Sequence, residues 1–79
     1  MQVRVRHFAA LRKAAGVEHE TVTLEAGDLH ALYRSLQLRH GWSFGESAVR
    51  VAVNDALVPW THALTDGDEV VFLPPFSGG

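Results

Sequence analysis

Seventy-nine residues with 47% hydrophobic and 20% charged content suit one small globular domain near the lower limit of what a single core stabilises unaided. Nine acidic against seven basic residues give a formal net charge of −2, which argues against a nucleic-acid partner. Cysteine is absent, so a disulfide framework, a thiolate nucleophile and a Cys-ligated metal are all excluded.

In chain order, Gln2 to Phe8 sets Val3 and Val5 against Arg4 and Arg6, the alternation of a strand with one wet face. Ala9-Ala10-Leu11-Arg12-Lys13-Ala14-Ala15 is rich in strong helix formers, and Gly16 stands where a left-handed cap belongs. Glu18 to Leu24 places Val22 and Leu24 on one face and Thr21 and Thr23 on the other, a second strand paired with the first. Glu25-Ala26-Gly27-Asp28 turns the chain, with Asp28 as N-cap. Leu29, Leu32, Tyr33 and Leu36 then fall at i, i+3, i+4 and i+7 and predict the main helix over 29–40, with Gly41 as its stop.

Trp42 to Ser47 reads as loop. Val49, Val51 and Val53 alternate with Arg50 and Ala52 in a third strand. Asn54-Asp55 fits a hairpin turn, although Gly is the usual second residue there. Ala56 to Val58 is a short strand ended by Pro59, and Leu64-Thr65-Asp66-Gly67-Asp68 turns into a last strand, Glu69 to Leu73. Strand, strand, helix, strand, short strand, strand is an α+β roll: one main helix across a mixed sheet of about five strands. The helix supplies the long crossover that lets the first and last strands lie parallel at the centre.

After residue 73 the chain changes character. Pro74 and Pro75 cannot donate to a ladder and hold the backbone extended, so residues 74–79 are expected to leave the 1–73 domain as a stiff arm. Pro74, Pro75, Phe76, Ser77, Gly78 and Gly79 carry no ionisable side chain; the arm's charge is the α-carboxylate of Gly79. At roughly 3.3 Å per residue it reaches on the order of 20 Å. Such an arm is shaped for a narrow site on another protein, where the absence of Cβ at Gly78 and Gly79 eases passage.

Taken together, Val3-Arg4-Val5-Arg6-His7-Phe8-Ala9-Ala10-Leu11-Arg12, Val51-Ala52-Val53-Asn54, Leu64-Thr65-Asp66-Gly67-Asp68-Glu69-Val70 and the Phe72-Leu73-Pro74-Pro75-Phe76-Ser77-Gly78-Gly79 ending carry a resemblance. The whole chain resembles the molybdopterin synthase small-subunit family within the β-grasp, ubiquitin-like sulfur carriers. Phe76 stands where that family more often has Val, and the start of the main helix lacks the common Thr-Val. The resemblance implies that Gly79 is adenylated at the expense of ATP by a separate activating enzyme and converted to a thiocarboxylate by a sulfur donor. The loaded arm would then enter a large synthase subunit, in a two-plus-two assembly, and deliver sulfur to the dithiolene of the molybdenum cofactor. No stably bound cofactor and no catalytic side chain are expected on this chain. Ser77 is read as a small spacer, Phe76 as an anchor in the large subunit, and Phe72 as facing either the core or the partner.

Other residues have plainer readings. The histidines at 7, 19, 30, 40 and 62 form no i, i+3 or i, i+4 pair, so a metal site is not expected. Asp66, Asp68 and Glu69 fit no calcium-loop spacing and are read as a solvated turn; the resemblance implies in addition that these acids meet basic residues on a partner. Arg4 and Arg6 solubilise a strand face. No apolar run approaches the ~20 residues of a membrane span and no signal-peptide pattern is present, so a soluble cytoplasmic protein is expected. The rival functions are a sulfur carrier for thiamin, cysteine or tRNA thiolation, a ubiquitin-like modifier linked through Gly79 to lysines, and an interaction module with an incidental Gly-Gly end.

Overall fold

Alternation and helical stripe translate directly into one sheet covered on one face. The computed structural model describes residues 1–25 and 27–74. Strands β1 (Gln2–Arg6), β2 (His19–Thr23), β3 (Arg50–Val53), β4 (Ala56–Val58) and β5 (Glu69–Leu73) are joined by helices α1 (Ala9–Ala15) and α2 (Leu29–His40), with a 3-10 turn at Glu46–Ala48. The sheet order is β2-β1-β5-β3-β4. β1 and β5 are parallel at its centre, Val5 opposite Val70; the other neighbours are antiparallel. This is the α+β roll that the element order predicts, in the β-grasp arrangement that the family resemblance implies.

Val3 and Val5 point from β1 into the core, Val51 and Val53 from β3, and Val70 and Phe72 from β5. The stripe Leu29, Leu32, Tyr33 and Leu36 of α2 closes over them, each fully buried. Asp28 caps α2 by accepting a 2.8 Å bond from the His30 N–H. Gly41 ends that helix, and Gly16 ends α1, both left-handed at φ 69° and 75°.

Two turns show why particular residues stand where they do. The β3–β4 hairpin uses Asn54 and Asp55 at φ 50° and 70°, the left-handed pair of a type I′ turn, which Asp tolerates better than most residues. Gly27 is required by close approach: a Cβ there would lie 2.3 Å from the Leu64 carbonyl oxygen, where the chain forms the Asp28–Ala63 bridge.

The structure departs from expectation in small ways. β1 ends at Arg6 rather than Phe8, because its ladder with β2 stops at the Arg6–His19 pair; His7 keeps the inward phase, and its N–H still bonds the Glu18 carbonyl at 2.8 Å. The predicted loop contains the 3-10 turn Glu46–Ala48, too short to leave a periodic signature. No helix of the described residues is long and apolar enough to cross a membrane.

Candidate functional site

The residues expected to form the arm follow β5, the central strand of the sheet. β5 is hydrogen-bonded on both sides, to β1 and to β3, and its last pair joins Leu73 to Arg50. Pro74 follows, half-buried, where a missing N–H costs no ladder bond. Of the expected site residues, Pro75, Phe76, Ser77, Gly78 and Gly79 lie outside the described residues. Phe72 is core, 1% exposed, its ring 4.9 Å from Tyr33 and 5.7 Å from Trp60. Of the two settings open to Phe72, the interior is therefore the one it occupies, and it offers no surface to a partner. Strand phase puts Ala52, Leu57, Val71 and Leu73 on the opposite, helix-free face. There Leu57 is 62% exposed. On that face Leu73 lies beside exposed Arg50, and Val71 is buried, so the apolar surface there is offered by Ala52, Leu57 and Leu73.

The turn feeding β5 is built rather than solvated. The Asp68 carboxylate accepts from the Thr65 N–H at 2.8 Å and Thr65 hydroxyl at 3.1 Å, and from the Asn54 amide at 2.9 Å. The Thr65 backbone bond first, then the Asn54 bond, hold its carboxyl below the usual range, against burial, which raises it. Asn54 in turn accepts from the Glu69 N–H at 3.0 Å. Asp66 accepts from the Gln2 N–H at 2.7 Å. The expectation of freely solvated acids is corrected for Asp68: its oxygens are committed inside the chain because they satisfy backbone and side-chain donors of the turn.

Sequence spacing did not join a second group that the fold brings together. His7, Glu20 and His40 meet at the end of the core where β1, β2 and α2 converge. Both histidine Nε2 atoms lie 2.6 Å from the same Glu20 Oε2, and Arg39 donates to Oε1 at 2.7 Å. Trp42 stacks on His40 and meets His7 edge-on, each at 5.3 Å between centroids. Burial would raise the Glu20 carboxyl, but the bonds from His7, Arg39 and His40, with the charge of His40, hold it below its ordinary value. His30 instead pairs with Glu46 and stacks on Trp60 at 5.4 Å.

The comparisons with known proteins agree over the full length. The molybdopterin synthase sulfur carrier subunit of Escherichia coli (strain K12) is 34% identical over 80 residues, spanning 98% of this chain and 99% of that protein. The structure of SAMP1 from Haloferax volcanii is similar with a TM-score of 0.83 and 25% identity over 100% of both chains. A chain in the complex of subunits 1 and 2 of the molybdopterin-converting factor from Helicobacter pylori 26695 is 32% identical over 100% of both chains, with a TM-score of 0.70. The ThiS family model matches residues 5–79, and with a relative this similar over its whole length, the chain belongs to the ThiS family.

Proposed function

We infer that this chain is the sulfur-carrier subunit of a molybdopterin synthase. The observation that carries the reading is full-length similarity to molybdopterin synthase sulfur carrier subunits, joined to an arm rooted on a doubly bonded central strand. In the ionised state a carboxylate is a poor acyl donor, so the Gly79 oxygen must first attack the α-phosphate of ATP, releasing pyrophosphate and forming a glycyl-adenylate. A persulfide sulfur then adds to the acyl carbon and AMP leaves. Thiol reduction of the resulting acyl disulfide frees the thiocarboxylate. Its sulfur attacks the pyranopterin precursor on the large subunit, and water returns the glycyl carboxylate.

A large-subunit partner is supported by the Helicobacter pylori complex of subunits 1 and 2, and the outer-face residues Ala52, Leu57 and Leu73 are the surface we assign to it. The activating enzyme, the sulfur donor and a two-plus-two assembly complete the proposal. Intact mass spectrometry of the untagged protein from its own cells tests it. A species heavier by the difference between sulfur and oxygen, mapped to Gly79, is expected; carboxylate alone after incubation with ATP, a sulfur source and cell extract would overturn it.

The likeness to SAMP1 supports a second reading, since that protein is by name a small archaeal modifier protein. Denaturing immunoblots of cell extract separate the two: a ladder of high-mass adducts means a modifier, and a single free species means the carrier.

A further inference from the structure

Among the described residues, His7, Glu20 and His40 are three metal-ligand side chains whose ligand atoms all lie within 4.8 Å of one another. They come from three places in the fold: the residue following β1, the second residue of edge strand β2 and the last residue of α2. Each is held in place. Trp42 packs on both rings, and Arg39 fixes the carboxylate through Oε1, leaving Oε2 to face both Nε2 atoms. The His7 side chain is 1% exposed, while those of Glu20 and His40 are 12% and 11% exposed. The cluster is therefore closed on the core side and open by a narrow rim on the other.

We propose that His7, Glu20 and His40 bind one zinc-type divalent cation that fastens the end of α2 to β1 and β2. Two imidazoles and a carboxylate, with no thiolate, form a donor set suited to zinc, and three protein ligands leave a position for water. At bond lengths of about 2.0–2.1 Å a tetrahedral cation needs its ligand atoms about 3.3 Å apart. The two 2.6 Å contacts must open slightly, which small side-chain rotations supply. The cation takes the place of the two protons that now bridge Nε2 to Oε2. Each ring moves its proton to Nδ1 or gives it to solvent, and donates the freed lone pair.

The competing account is a hydrogen-bonded cluster that holds no metal, and the substitution to glutamine distinguishes them. Gln retains an N–H donor for Glu20 but is a poor ligand for zinc. The untagged full-length chain is stripped with a chelator and titrated calorimetrically with zinc chloride. One equivalent per chain is expected, with the melting temperature raised by roughly 10–20 °C at a hundredfold excess over Kd. His7→Gln and His40→Gln should each weaken zinc binding by about tenfold or more, whereas His30→Gln should leave it unchanged. In the wild-type protein, the imidazole nitrogen resonances of His7 and His40 should shift together as zinc is added, a readout that holds even where buried His7→Gln fails to fold. No binding at millimolar zinc overturns the proposal, as does binding that survives both Gln variants or shifts other histidines instead.

Discussion

At the scale of single residues, Asp68 and Gly27 do the most for their size. Asp68 satisfies three donors at the entrance to β5. Asp68→Asn sets an amide N–H against the Thr65 and Asn54 donors and is expected to cost about 1–3 kcal/mol at neutral pH. Because folding lowers the Asp68 pKa, its contribution is full above the unfolded value of about 3.9 and is lost as pH falls through the folded value. Urea midpoints measured down this acid limb should fall less steeply with pH in the variant than in the wild type. Gly27→Ala has a different cause: the new Cβ meets the Leu64 carbonyl oxygen, a backbone atom that cannot swing away. A loss of about 1–3 kcal/mol is expected from denaturant unfolding.

At the scale of elements, Phe72 links strand to helix. It lies between Tyr33 of α2 and Trp60, so Phe72→Ala should destabilise the isolated chain by about 3–5 kcal/mol, measurable without any partner present. An unchanged urea midpoint would contradict that packing. Sequence pattern predicted α2 to the residue and β4 and β5 likewise, because their stripes and alternations coincide with good stops at Gly41, Pro59 and Pro74. Phe72 could not be assigned from a run in which Val70, Val71, Phe72 and Leu73 are all apolar, since phase is invisible where both faces are. The His7, Glu20 and His40 group was missed for another reason: spacing rules look along one element, and these ligands come from three places in the fold. Yet each keeps an inward phase, His7 after Val3 and Val5, Glu20 before Val22, and His40 four residues after Leu36. Titratable residues in core phase were the available signal.

At the scale of the whole molecule, the chemistry of the proposed carrier falls on Gly79, beyond the end of β5. Extending the chain by one residue beyond Gly79 should abolish sulfur transfer while leaving the melting temperature unchanged. Activity assays with purified large subunit, alongside mass spectrometry to exclude trimming, check this. Phe76→Ala should weaken binding to the large subunit by about tenfold or more, the effect of removing a buried aromatic anchor, and equal affinity would show that Phe76 is no anchor.

The parallel pairing of β1 with β5 also decides how the protein bears mechanical load. The chain enters at the start of β1 and departs past the end of β5, at opposite ends of the same ladder. Tension applied through the arm and opposed at the N-terminus therefore runs along the two strands and shears their hydrogen bonds collectively. It does not peel them one at a time. A partner pulling the chain from beyond β5 therefore loads the whole β1–β5 ladder at once.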